Sequence, residues 1–175
     1  MDYYTRDIIN KLTDEIRSTF KIPLPVDDLS NFVKSIGGMI TESDLKSRAY
    51  EGRTAIKSTK YTFEIFIPEN QHPDRKKFLI ARELGHLFLH MGYLIDESMW
   101  KECQNVDFYK SESSEEESQA NEFAAALIMP RKEYKRVMDR YTDARYVNTR
   151  YIAEYFGVSI QAASNRGKLL GYLSW

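Results

Sequence analysis

The stretch "FLIARELGHLFLH", residues 78–90, constrains this chain more than any other. It reads as the centre of a long helix that Pro73 opens and that runs from about 74 to 92. On an α-helix, positions i and i+4 share a face. Arg82, His86 and His90 therefore form one stripe, with Glu83 one step around from it. Leu84, Leu87, Phe88 and Met91 point elsewhere and are expected to pack into a core. Gly85 sits mid-helix, where glycine costs about 1 kcal/mol against alanine. Something must offset that cost, and the close approach of another backbone or of a substrate strand would do so.

The wording of this helix is one residue away from H-E-x-x-H. In that motif two histidines at i and i+4 bind zinc through imidazole nitrogens, and the glutamate takes a proton from the metal-bound water. Here the five residues are Arg82, Glu83, Leu84, Gly85 and His86. Arginine stays protonated in proteins and has no lone pair to offer a metal. It also places a fixed positive charge where a dication would sit. His86 and His90 form a second i, i+4 pair one turn along, but Leu87 follows His86, so the shifted motif lacks a base. His90 is read as a structural histidine, hydrogen-bonded through one nitrogen and packed, and only weakly as a ligand.

Other segments place this helix in a chain. Residues 5–20 read as an amphipathic helix, with Ile8, Ile9, Leu12, Ile16 and Phe20 at helical spacing. "IPLPVDD" breaks it, and Asp27 or Asp28 can cap a second helix, "LSNFVKSIG". "GMITES", "YEGRTAIKS" and "YTFEIFIPE" read as two or three strands of a small antiparallel sheet. In the last of them Tyr61, Phe63, Ile65 and Ile67 alternate on one face, with Phe66 on the other. An irregular stretch, 93–113, contains Trp100, Phe108 and Tyr109 and could be a lid or a partner-contact loop. Helices resume at about 114–128 and 130–141, and the last 27 residues form a helix–turn–helix pattern.

Two of these segments together resemble the ImmA/IrrE metallopeptidase family. Its central helix looks like A-H-E-L-G-H-L-x-L-H, against "ARELGHLFLH" here. Its second helix looks like E-x-x-A-N-x-F-A-x-x-L-x-M-P, against "ESQANEFAAALIMP" here. The closing "YIAEYFGVSIQAASNRGKLLGYL" resembles the family's C-terminal segment. The likeness runs from about residue 20 to the end. It implies a zincin-like core in a cytoplasmic protein, often of mobile elements, phage or stress circuits. Such proteins act on a helix-turn-helix transcriptional repressor. It also implies Glu83 as the general base, His86 as the second metal ligand and Glu117 as the third, with Arg82 replacing the first.

A plainer reading stands beside each of these. Glu117 ends a capping box that starts at Ser114, and acids in a first turn suit the helix dipole. Glu116 and Glu122 are weaker substitutes for it. Ala120, Ala124 and Ala125 would let this helix approach the central one closely without any chemistry. In the C-terminal pair, Ile152, Tyr155 and Phe156 make an apolar face, Ser159 is a plausible cap, and Gly171 ends the second helix. A DNA-reading role would use Gln161, Ser164, Asn165, Arg166 and Lys168. Residues 148–175 carry Arg150, Arg166 and Lys168 against Glu154, thin for gripping phosphate. A packing or partner-docking helix pair is the better reading. Cys103, the single cysteine, has no histidine near it in sequence and reads as incidental.

Composition sets the outer limits. A chain of 175 residues with 42% hydrophobic content suits one domain, or one domain with a small appendage, and its net charge of −1 carries no global signal for nucleic acid. No apolar run approaches the roughly 18–20 residues that span a bilayer. The first residues lack the apolar stretch of a signal peptide. One cysteine allows no intrachain disulfide, which fits a reducing compartment.

The expected fold is therefore α+β: a mostly helical zincin-like domain over 1–145 with a small antiparallel sheet, and a helix-turn-helix-like segment over 146–175 packed on it. The expected function is a regulator that binds a helix-turn-helix repressor and whose metallopeptidase site is degenerate, with Arg82 taking the metal's place against Glu117 or Glu83. The alternative is an active zinc-dependent endopeptidase that cleaves such a repressor. Zinc is the cofactor if the site is active. Neither a membrane nor direct DNA binding is expected.

Overall fold

The long helix forms where the apolar spacing puts it. In the computed structural model, which describes residues 1–43, 53–55, 61–103, 114–143 and 146–174, it is α3 of the chain, Pro73–Leu89. The imidazole of His72 accepts from the Asp74 amide at 3.3 Å, and Pro73 fills the first turn, where no amide hydrogen is needed. The helix stops short of 92 because the chain turns back on it: the Met91 amide bonds the His86 carbonyl at 3.1 Å, and the Tyr93 amide bonds that of Leu87 at 3.1 Å. Leu84, Leu87, Phe88 and Met91 are all buried.

Before it come α1 (Tyr3–Thr19), α2 (Ser30–Ser35) and the strands β1 (Gly38–Ser43), β2 (Arg53–Ala55) and β3 (Phe63–Pro68). Asp2 caps α1 by accepting from the Thr5 amide at 2.8 Å. The face α1 buries is Ile9, Asn10, Thr13 and Ile16, while Ile8 and Phe20 remain exposed. The apolar stripe read from the sequence was thus rotated, because two polar residues share the buried side. At α2, Asp28 accepts from the Ser30 amide at 3.0 Å.

The sheet is three-stranded in the order β1-β3-β2. The antiparallel expectation holds for β2 and β3 only; β1 runs parallel to β3, from Gly38 opposite Phe63 to Ser43 opposite Pro68. Alternation in a strand records which side is buried, and says nothing of direction. Direction is set by the pairing: β3 lies in the middle, with β2 antiparallel on one edge and β1 parallel on the other. On β3 the alternation is as read: Phe63, Ile65 and Ile67 are buried in the core. Most of "YEGRTAIKS" lies outside the described residues.

After α3 come α4 (Glu97–Cys103), α5 (Ser114–Ile128) and α6 (Arg131–Arg140). The first of these falls inside the stretch read as irregular, and Trp100 on it packs its ring on Tyr93, centroids 4.7 Å apart. Phe108 and Tyr109 lie outside the described residues. Cys103 is buried, and burial pushes its thiol pKa up, so it is a poor nucleophile. A short hairpin, β4 (Thr142–Asp143) and β5 (Tyr146–Val147), leads to α7 (Thr149–Phe156) and α8 (Ile160–Leu169). Gly157 takes the left-handed conformation, φ 57°, that lets α7 end and α8 begin, and Ser159 caps α8 by accepting from the Ala162 amide at 3.1 Å. The Tyr134 hydroxyl of α6 donates to the Ala163 carbonyl at 2.7 Å, and the buried Lys77 ammonium of α3 donates to the Phe156 carbonyl at 2.7 Å, so both helices are tied to the body of the chain. No helix among the described residues is long and apolar enough to cross a membrane.

Candidate functional site

The site is built where α3 crosses α5. The two helices come so close at Gly85 that a Cβ there would lie 3.0 Å from the Ala120 Cα and 3.1 Å from its carbonyl oxygen. Close approach of a neighbouring backbone is therefore what occupies the space glycine leaves, and that backbone is α5, with Ala120 and Ala124 fully buried in the contact. One turn of α5 before it stands Glu117, and next to Gly85 on α3 stands His86.

The contact brings His86 and Glu117 together: His86 Nε2 lies 3.1 Å from Glu117 Oε1. His86 is buried, and Glu117 is partly open to solvent. On its other side, His86 Nδ1 lies 3.0 Å from Nδ1 of His90, whose Nε2 lies 3.1 Å from Gln119 Oε1. Both nitrogens of His90 are thus engaged inside the protein. The chain of contacts has a directional consequence. If Gln119 accepts from His90 Nε2 and both rings are neutral, His90 Nδ1 must accept from His86 Nδ1, and the bare Nε2 of His86 then faces the carboxylate. That arrangement is satisfied by a proton or another cation between them. Gln119 was not foreseen: it is two residues from Glu117, and residues i and i+2 do not share a helix face.

Arg82 and Glu83 complete the group. Glu83 is fully buried, and an Nη of Arg82 lies 3.5 Å from its carboxylate. Of the two pairings expected for Arg82, the one with Glu83 is therefore present, though at a length beyond a strong hydrogen bond. The capping-box reading of Glu117 turns on the Ser114 side chain, which lies outside the described residues.

Zinc does not fit this donor set. Catalytic zinc takes three protein ligands and one open position. His86 and Glu117 supply two donors at one point, and the next position along the stripe is a guanidinium, which has no lone pair. The second ring nitrogen of His86 and both of His90 are turned to each other and to Gln119. Among the described residues no group of three or more His, Cys, Asp or Glu is arranged to hold a metal.

Two residues weighed for this or another site have a different place. Glu122 on α5 and Arg166 on α8 form a buried ion pair, Nη to carboxylate 2.7 Å, with Arg166 only 1% exposed. The same guanidinium donates to the Met129 carbonyl at 3.0 Å and to Asn10 Oδ1 at 2.7 Å. Asn10 donates to Glu122 at 2.8 Å, and Arg6 lies 3.3 Å from the other carboxylate oxygen. Arg166 is thus not available to read DNA from α8. Burial depresses its pKa, and the Glu122 carboxylate opposes that fall. The network joins α1, α5 and α8. It could not be read from sequence, because its partners stand 37 to 156 positions apart.

Comparison with known proteins agrees with this architecture. The family model of the IrrE N-terminal-like domain, a peptidase M78 family, matches residues 33–168. Among solved structures, a Mycobacterium tuberculosis transcriptional regulator is similar with a TM-score of 0.58 at 17% identity, over 94% of this chain and 47% of that one. This chain therefore spans about half the length of that structure, and the likeness is one of fold. No curated protein matches the chain.

Proposed function

The chain belongs to the IrrE N-terminal-like domain family, and we propose that it acts there as a regulator that binds a helix-turn-helix transcriptional repressor without cleaving it. The observation that carries this reading is Arg82. A zincin needs a neutral imidazole at that position, to bind the ion whose water the glutamate deprotonates. Here a permanent cation stands 3.5 Å from the buried Glu83 carboxylate. Glu83 as general base would have no metal-bound water to act on, and its negative charge is balanced from the side. His86 and Glu117 keep each other company at 3.1 Å and tie α3 to α5. What the arrangement can do chemically is hold two helices in register.

The choice of partner is supported by the family resemblance, with its signatures at "ARELGHLFLH" and "ESQANEFAAALIMP", and by the fold likeness to a transcriptional regulator. Such a partner places the protein in the cytoplasm.

The test is metal content and zinc affinity of the purified chain beside an Arg82→His variant, with repressor binding followed for both. The expected result is no zinc in the native chain, one tightly held zinc in the variant, and repressor bound by both, with cleavage by the variant alone. One zinc per native molecule, with cleavage of the repressor, would replace this reading by that of a working endopeptidase whose ligands are rebuilt around His86, His90 and Glu117.

A further inference from the structure

From residue 140 to 151 the chain reads "RYTDARYVNTRY", with an Arg-Tyr pair at 140–141, again at 145–146 and again at 150–151. The spacing is five residues each time. The segment has three arginines against one acid, Asp143, in a chain whose net charge is −1. It ends α6, makes the β4–β5 hairpin and begins α7. Arg145 lies outside the described residues, so the surface rests on the other five members of the three pairs.

Those five line one recess of about 680 Å³, together with Thr142, Asn148 and Ile160. Tyr141 and Tyr151 stack, ring centroids 5.0 Å apart at 25°, and form a wall. Tyr146 stands on the hairpin with 84% of its surface open, and Tyr151 and Ile160 are also exposed, at 47% and 52%. Arg140 and Arg150 are exposed beside them. Arg150 reaches Glu154 only at 3.5 Å, in a pair that solvent screens. Tyr146 contributes almost nothing to the core, yet it keeps a large aromatic face in water beside two guanidinium groups. The hairpin that carries it is two residues long on each side, far too short to be stable unless the helices hold it.

We propose that this recess binds an unpaired stretch of nucleic acid. Bases that are not paired stack on open aromatic rings, and their phosphates are met by arginines, a combination that tolerates any base because each has a π-face. The surface reads no groove: Arg166 of α8 is buried, and on the same helix Gln161 donates to Asn165 at 2.7 Å, so the would-be recognition helix offers little to a duplex. Neither stacking nor phosphate pairing depends on the sugar, so DNA and RNA are held alike. This site is separate from the residues between Arg82 and Gln119 and stands whether or not that group binds metal.

The experiment is fluorescence anisotropy of the full chain with labelled fifteen-nucleotide oligo-dT and oligo-U, and with a duplex of the same length, over a salt series. Both single strands are expected to bind with similar affinity and the duplex more weakly. Tyr146→Ala should weaken binding about tenfold or more, while Tyr146→Phe, which keeps the ring, stays within about twofold. Arg140→Ala and Arg150→Ala should each lower the slope of log affinity against log salt by about 0.7. The variants are at exposed positions and are checked for an unchanged melting temperature. The proposal fails if neither strand binds, if the duplex binds more tightly, if Tyr146→Ala binds as the native chain does, or if a poly-glutamate peptide displaces the strands at equal charge concentration.

Discussion

Gly85 of α3 and Ala120 of α5 meet backbone to backbone, with a Cβ at 85 falling 3.0 Å from the Ala120 Cα. Alanine at 85 would gain about 1 kcal/mol of helix propensity. Against that, the obstacle is main chain, which cannot swing aside as a side-chain tip can, and overpacking costs about 1–3 kcal/mol. Gly85→Ala is therefore expected to lower stability by up to about 2 kcal/mol, read as a lower melting temperature. A variant as stable as the native chain would mean that α5 slides freely on α3.

Arg82→Ala takes the neighbouring cation from a carboxylate that is fully buried. The cost of that loss is about 1–3 kcal/mol, measured by urea denaturation. Added zinc should not restore it, since alanine brings no donor. Unchanged stability on this substitution would sink the idea that the guanidinium stands in for the metal's charge.

Arg166→Ala should be among the most damaging single changes. It removes the partner of Glu122 and two further hydrogen bonds, to Asn10 and Met129, from a buried site. Breaking a buried pair from one side costs about 3–5 kcal/mol. Replacing both members, Arg166→Met with Glu122→Leu, should recover part of that loss, because the buried carboxylate goes with its partner; recovery is partial because Arg6 then loses its own contact with Glu122. Equal stability of the single and double variants in denaturant would show that the pair itself contributes little.

Glu133 gives stability an acid limb. Hydrogen bonds from Arg136 chiefly, and from the Tyr155 hydroxyl, hold its pKa at about 2, below the ordinary 4.5. A carboxyl whose pKa falls on folding stabilises the fold fully above its unfolded value and loses that contribution as pH drops through the folded one. The loss therefore runs from about pH 4.5 down to about 2. Half the Arg136 side chain is exposed, which reduces the contribution to about 1 kcal/mol. Glu133→Gln should flatten the stability profile in that window and leave the profile above pH 6 parallel to that of the native chain.

Much of this architecture was legible because it is periodic. Phe63, Ile65 and Ile67 alternate and are buried together, and Leu84, Leu87, Phe88 and Met91 recur at helical spacing and are buried together. The stripe of Arg82, His86 and His90 followed from the same geometry, and so did the pairing of α3 with a helix of small residues. What was not legible is what periodicity does not encode. The direction of β1 against β3 was one such feature. Another was the polar network: Asn10 lies among apolar residues of α1, and Arg166 stands on α8 in a set of polar residues thin in charge for reading DNA, and neither position points to a buried partner.

The sequence by itself determined that position 82 cannot ligate a metal, because a guanidinium lacks a lone pair in any fold. It also determined which residues of the central helix share a face. Only the tertiary structure decided that the space beside Gly85 belongs to Ala120, that His86 meets both Glu117 and His90, and that Arg166 turns inward to Glu122. The reason is physical: a side chain's chemistry and its angle on a helix are local, but which neighbour covers it depends on contacts between residues far apart in the chain. Those contacts exist only once the helices have packed.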